Sequence, residues 1–169
     1  MKTAIIIFIF PIVLLASPNE LYLLPDESEL LLYDLKQDIK KSGKSEIRLS
    51  LSSFNIKKIF KILRKRNNRG SSISLIVDSD EVSKKSSLVG NLAVLKNVDI
   101  FQIKNLAKDR FNLNFIVMKN RAYIFPYGLD GEKFDKVYGM AIRTTDKRTI
   151  KRLKLIFKAL RERSEKLFQ

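Results

Sequence analysis

Three short apolar runs, residues 20–24, 47–51 and 72–78, are separated by two stretches whose apolar residues recur at helical spacing. This alternation admits few folds. The first run, ELYLL, is stopped by Pro25, and Asp26 with Glu29 three residues later reads as a helix start. Leu31, Leu32, Leu35 and Ile39 then share one helical face, which Gly43 ends. Ile47, Leu49 and Leu51 alternate with Arg48, Ser50 and Ser52, the pattern of a strand with one polar face. Ser53 or Asn55 is placed to cap a second helix carrying Ile56, Ile59, Phe60 and Leu63, closed by Asn67, Asn68 and Gly70. Because a helix separates them, the strands at 47–51 and 72–78 are expected to run parallel.

The second half continues in shorter pieces. Leu88, Leu92 and Leu95 suggest a third helix, and residues 98–103 a strand. Within 112–127 (NLNFIVMKNRAYIFPY) two four-residue apolar runs flank Lys119, Asn120 and Arg121. Each run is too short for a helix. They read as a hairpin at 114–125, with asparagine supplying positive φ in its turn. A loop at Asp130 and Gly131, a strand at 139–144, and a long helix capped by Asp146 with Ile150, Leu153, Phe157 and Leu160 inward complete the chain. The expected order is β-α-β-α-β-α-β-β-β-β-α, a single-domain α/β sandwich with a mixed sheet. At 169 residues, 45% of them hydrophobic, the chain can bury a substantial core.

The N-terminus is a separate case. After Lys2, residues 4–15 (AIIIFIFPIVLL) are uncharged and almost wholly apolar, then Ala16, Ser17 and Pro18 follow. Twelve residues fit the core of a secretory signal and fall short of the ~20 needed to span a bilayer. The expected division is a signal peptide at 1–17 and a folded domain at 18–169. Leu14 stands where a small residue is preferred before a cleavage site, so an uncleaved N-terminal anchor is the rival. Both place the domain outside the cytoplasm, periplasmic or membrane-associated.

The chain has no cysteine and no histidine. Thiolate chemistry is excluded, together with the commonest general base and metal ligand. No cofactor is implied. Asp78, Asp80, Glu81, Asp109, Asp130, Glu132 and Asp135 could supply oxygen ligands to a hard metal in a metal-dependent phosphodiesterase, but none has a recognisable ligand spacing.

Positive charge is concentrated. Residues 55–70 hold seven Lys/Arg and no acid, and residues 147–169 hold nine against Glu162 and Glu165, so each carries +7 of a formal net charge of +15. Lys57, Lys61, Arg64, Lys65 and Arg69 are the candidates on the first helix. On the last, Lys147, Lys151, Lys154, Lys158 and Arg161 recur at steps of four and three, one stripe beside the apolar one. Such a stripe can track the phosphates of DNA or RNA, or lie on an anionic membrane surface. It is also what a solvated helix face looks like in a chain rich in Lys, Ile, Asn and Phe, and both readings stand.

The stretch from Leu-Pro-Asp-Glu (24–27), through SEIRLSLSSF (45–54), to Arg69-Gly70 before SISLIVD (72–78) resembles the small phospholipase D-like nucleases, single-domain exported bacterial endonucleases. The resemblance implies a phospholipase D-like α/β fold over residues 20–169. It also implies a signature His-x-Lys-(x)4-Asp followed by a glycine turn and Gly-Ser-x-Asn. In that family the histidine attacks phosphorus, the lysine holds phosphate oxygens, and a homodimer brings two sites together. Here Asn112 stands at the histidine position, Asn114 at the lysine and Lys119 at the aspartate. Asn120 replaces the turn glycine, and Tyr127 and Leu129 replace the serine and asparagine. The expectation is a degenerate relative that binds nucleic acid or another polyanion without hydrolysis. Its alternative is a structural subunit, in a homodimer or paired with a related active nuclease, with Met118, Tyr127 and Leu129 packing across the interface or within one chain.

Overall fold

The computed structural model describes residues 18–103 and 111–167. The segment 1–17 and Asp109 lie outside them. Strands β1 (Asn19–Leu24), β2 (Ile47–Leu51), β3 (Ile73–Asp78), β4 (Val98–Ile103), β5 (Asn114–Val117), β6 (Ala122–Phe125), β7 (Gly139–Thr144) and β8 (Glu165–Leu167) form one mixed sheet in the order β1-β7-β6-β5-β2-β3-β4-β8. β2, β3 and β4 are parallel, as helical connections demand, and the remaining pairs are antiparallel. The helices are α1 (Ser28–Lys41), α2 (Lys57–Asn67), α3 (Ser79–Ser83), α4 (Val89–Ala93), α5 (Gly131–Lys136) and α6 (Lys147–Glu162).

Two apolar clusters lie on opposite faces of the sheet. Leu31, Leu35 and Ile39 of α1 and Ile59 and Leu63 of α2 pack with Leu49, Leu75, Ile116 and Tyr123 on one face. Ile150, Leu153 and Phe157 of α6 pack with Ile76, Phe115, Val117 and Ala122 on the other. The strand at 47–51 is covered on both faces except at Arg48: Ser50 is fully buried under α6, its hydroxyl donating to the Leu113 carbonyl at 2.7 Å. The outer part of the sheet is less covered on this side. Leu21, Leu23 and Met140, which share that face, stay 53–60% exposed.

Several local expectations are corrected. Asp26 does not cap α1, because the chain folds back after Pro25: Glu27 N–H bonds the Leu23 carbonyl, and the Glu27 carboxylate accepts from Leu23 N–H at 2.7 Å. Neither Ser53 nor Asn55 caps α2. Ile56 precedes the helix, and Asn55 Oδ1 instead accepts from Gly131 N–H at 2.8 Å. The third helix is split into α3 and α4, and the loop at Asp130 and Gly131 is the capped start of α5. β8 had no sequence signal. Among the described non-glycine residues positive φ occurs at Asn97, not in the hairpin turn, which Met118 N–H closes onto the Arg121 carbonyl. The Asp146 cap on α6 is found as expected, its carboxylate accepting from Thr149 N–H at 2.7 Å.

A buried ionic cluster ties α1 to the antiparallel half. Asp38, 3% exposed, accepts from the Tyr123 hydroxyl at 2.7 Å, Arg143 Nε at 2.8 Å and Arg121 Nη1 at 2.9 Å. Burial pushes the Tyr123 phenol well above its ordinary range, and the bond to Asp38 adds to this. Burial opposes the charge of Arg143, but its bonds to Asp38 and Glu20 outweigh that and hold the guanidinium above its usual range.

Candidate functional site

The parallel strands end where a ligand cleft is expected in an α/β sheet. A cleft of about 600 Å³ lies there, walled by Ser52 and Ser53 after β2, Asp78 and Asp80 at the end of β3, Asn112 before β5, and Tyr127 and Asp130 after β6. The structure thus brings Asn112 to the cleft wall, with Asn114 buried behind it. Lys119 sits at the other end of the hairpin, exposed in the turn.

The two amides are bound to each other. Asn114, 3% exposed, donates from Nδ2 to Asn112 Oδ1 at 2.9 Å, and its own Oδ1 accepts from Ser52 N–H at 2.7 Å. An amide nitrogen has no available lone pair, so neither group can attack phosphorus. Neither carries charge for a phosphate. Tyr127 donates its hydroxyl to the Val137 carbonyl at 2.8 Å. Burial raises its phenol above the ordinary range, so it offers no base at neutral pH. Met118, Tyr127 and Leu129 are all buried within the chain, 0–7% exposed, so they are not available to pack across an interface.

Of the carboxylates, Asp78, Asp80 and Asp130 line the cleft with Lys84 and Lys133, giving it mixed charge. Asp78 and Asp130 cap α3 and α5. Glu81 is 2% exposed, accepting from Phe54 N–H at 2.9 Å and pairing with Lys84 at 3.1 Å. Glu132 pairs with Lys136 at 3.2 Å, and Asp135 is exposed elsewhere. Among the described residues no group of three or more is arranged to hold a metal ion.

Gly128 sets how closely this wall closes. A Cβ there would lie 2.4 Å from Ser53 N and 2.6 Å from Ser53 O, both backbone atoms that cannot rotate away. Gly128→Ala is expected to cost about 1–3 kcal/mol through overpacking, read as a lower urea midpoint. An unchanged midpoint would show that the wall yields freely.

The basic residues do not form one surface. α2 and α6 are on opposite faces of the sheet. Lys57, Lys61, Arg64 and Lys65 on α2 and Arg69 just after it are exposed, but Arg66 is 7% exposed and donates to the Gly43 carbonyl and Ser71 hydroxyl, joining the ends of α1 and α2. The groove at the start of α2 mixes Lys57 and Lys58 with Glu29 and Asp135. On α6, Lys147, Lys151, Lys158 and Arg161 are exposed and Lys154 is half-buried, its Nζ donating to the Lys119 carbonyl at 3.2 Å. Arg48 of β2 joins this flank, with its guanidinium 5.9 Å from the Phe157 ring centre. Arg48 has no sequence signal for this place. Its alternation with Leu49 placed it on a face read as solvent, and nothing local to β2 announced that α6 would cover that face.

No protein-family model matches the chain, and no curated protein matches it by sequence. Solved structures do. NucT from Helicobacter pylori superposes with a TM-score of 0.81 at 20% identity, covering 88% of this chain and 98% of that one. Nuc from Salmonella typhimurium, a phospholipase D family member, gives 0.73 at 13% identity over 89% and 98%. TrmBL2, an archaeal chromatin protein described with a novel mode of DNA binding, gives 0.65 at 16% identity over 91% of this chain and 56% of that one. The chain has the phospholipase D-like fold.

Proposed function

We propose that this chain is an exported phospholipase D-like protein whose motif positions do not support phosphodiester hydrolysis and which binds nucleic acid or a related polyanion. The observation that carries the reading is the amide pair. Where the fold's nucleophile and phosphate-holding cation are expected, Asn112 and Asn114 satisfy each other and Ser52, and no histidine exists elsewhere to take over. The cleft's three carboxylates offset its two lysines, so it presents no net cationic seat for a phosphodiester. The cations instead stand on the helices, from which binding draws affinity that falls with salt.

The test is incubation of the purified protein with plasmid and single-stranded oligonucleotide, with magnesium and with chelator, across 50–300 mM salt on the order of standard practice. Retention that weakens as salt rises, without strand scission in either condition, is the expected result. Scission abolished by chelator would overturn it in favour of metal-dependent catalysis on the cleft carboxylates.

A second reading, a subunit in a homodimer or beside a related active nuclease, is favoured by the uncovered strip of Leu21, Leu23 and Met140 on β1 and β7. Sedimentation at micromolar concentration, showing a dimer that Leu23→Lys dissolves, would support it. A monomer with no co-purifying relative would remove it.

A further inference from the structure

We propose that the flank of α6 bearing Lys151, Lys154, Lys158 and Arg161, with Arg48 beneath it and Lys119 at its end, is a track for a nucleic-acid sugar–phosphate backbone. It would be separate from the cleft between the strand ends. This assignment rests on the polyanion-binding reading above and gives it a place.

The first support is shape. Two adjoining depressions, about 240 and 710 Å³, share Lys151 and Lys154. One has Arg48 and Phe157 at its floor; the other is closed by the hairpin turn at Lys119–Asn120–Arg121. From Lys147 to Arg161 the stripe runs about 21 Å at 1.5 Å per residue. That is about six nucleotide rises along one strand of B-form DNA.

The second is charge. Among the described residues no carboxylate lines either depression. The acid beside Arg48, Glu46, is bonded to it at 2.6 Å and accepts from the Ser74 hydroxyl. Burial opposes its ionisation, yet those bonds and the field of Arg161 hold its carboxyl below the usual range. Lys158 has a loose 3.9 Å pair with exposed Glu162. The cleft, by contrast, presents Asp78, Asp80 and Asp130, and the α2 groove presents Glu29 and Asp135.

The third is preorganisation. Arg48 lies over Phe157 and Arg161 over Phe101, both at 5.9 Å from the ring centre, and Lys154 is held by the Lys119 carbonyl. Side chains already held lose less freedom when a phosphate arrives. A membrane is the poorer partner. A helix lying on lipid turns its apolar face outward, and the apolar face of α6, Ile150, Leu153 and Phe157, is consumed by the sheet.

The track and the cleft occupy opposite ends of the same strands. Arg48 opens β2 and Ser52 follows its end; Asn112 precedes β5 and Lys119 follows it. A backbone on the track therefore does not enter the cleft.

Binding of a fluorescein-labelled 20-mer, single-stranded and duplex, is measured by anisotropy across salt for the wild type and three charge-matched pairs. Lys151→Gln with Lys158→Gln should weaken binding about tenfold or more and lower the log–log salt slope by about 1.8 on duplex and about 1.4 on single strands, the loss of two phosphate contacts. Lys40→Gln with Lys85→Gln, exposed lysines outside every groove described, removes the same charge and should change binding less than threefold. Lys57→Gln with Lys61→Gln decides between the helices: a loss as large as that of the α6 pair overturns the track. Equal losses for all three pairs would show net charge alone at work and overturn the track while leaving polyanion binding intact. No binding by the wild type overturns the underlying reading and the track with it. Binding to phosphatidylglycerol vesicles, sensitive to the α6 pair, with no oligonucleotide retained, overturns the nucleic-acid assignment. Circular dichroism melts of each pair confirm folding, and a single Lys151→Glu, expected to weaken binding by itself, serves if the α6 pair melts early.

Discussion

Asp38→Ala is expected to remove about 3–5 kcal/mol of unfolding free energy, the cost of breaking a buried ion pair from one side. The carboxylate is 3% exposed and serves three donors from three places in the chain. These are Tyr123 on β6, Arg121 in the hairpin turn and Arg143 on β7. Alanine would leave a phenol and two guanidinium groups without that acceptor. Arg143 would keep its bond to Glu20 at 2.6 Å, which is why complete unfolding is not expected. Small domains have about 5–15 kcal/mol in all, so the loss should be plain in urea titration as a lower midpoint at unchanged slope. Asp38→Asn, which keeps an acceptor, should lose less. A drop below about 1 kcal/mol for alanine would mean that the arginines find water or other acceptors readily.

Phe157→Ala is expected to cost about 3–5 kcal/mol, the range for truncating a buried aromatic. Its ring is 2% exposed and packs with Ile76, Phe115 and Val117, so it fastens α6 to the sheet. The same ring carries Arg48, so at temperatures where the variant is folded its oligonucleotide affinity should also fall. Phe157→Leu fills much of the volume but offers no aromatic face. It should recover most of the stability and less of the binding. Equal recovery of both would show that Arg48 needs packing and not the ring.

Much of this architecture is legible before any coordinates, and the failures have a common cause. The runs at 47–51, 72–78 and 114–125 show because their apolar residues are dense and bounded by turn residues. α6 shows because Asp146 precedes a clean apolar stripe. β8 is Glu-Lys-Leu, with no apolar alternation, and is a strand only because β4 has an open edge beside it. α5 carries a single buried residue, Phe134, too few for a period. The apolar stripes of α2 and α6 look alike in sequence, yet they meet opposite faces of the sheet, a choice set by connection handedness and not by either helix. The two basic helices could therefore be recognised without being placed. Asp38 gave no warning for a similar reason: its partners are more than eighty residues away in sequence.

The bond between Ser52 N–H and Asn114 Oδ1 limits what else position 114 can hold. A lysine at 114 has donors and no acceptor. In these surroundings it would strand the Ser52 amide and place an ammonium at a position 3% open to water, beside an Asn112 that offers no charge. A histidine at 112 without that lysine would lack the cation that steadies phosphate. Asn112→His alone or Asn114→Lys alone thus suits these surroundings less well than the present pair, and only the two together would set a nucleophile beside a cation. The two positions therefore behave as one unit: a substitution at either is judged by what stands at the other.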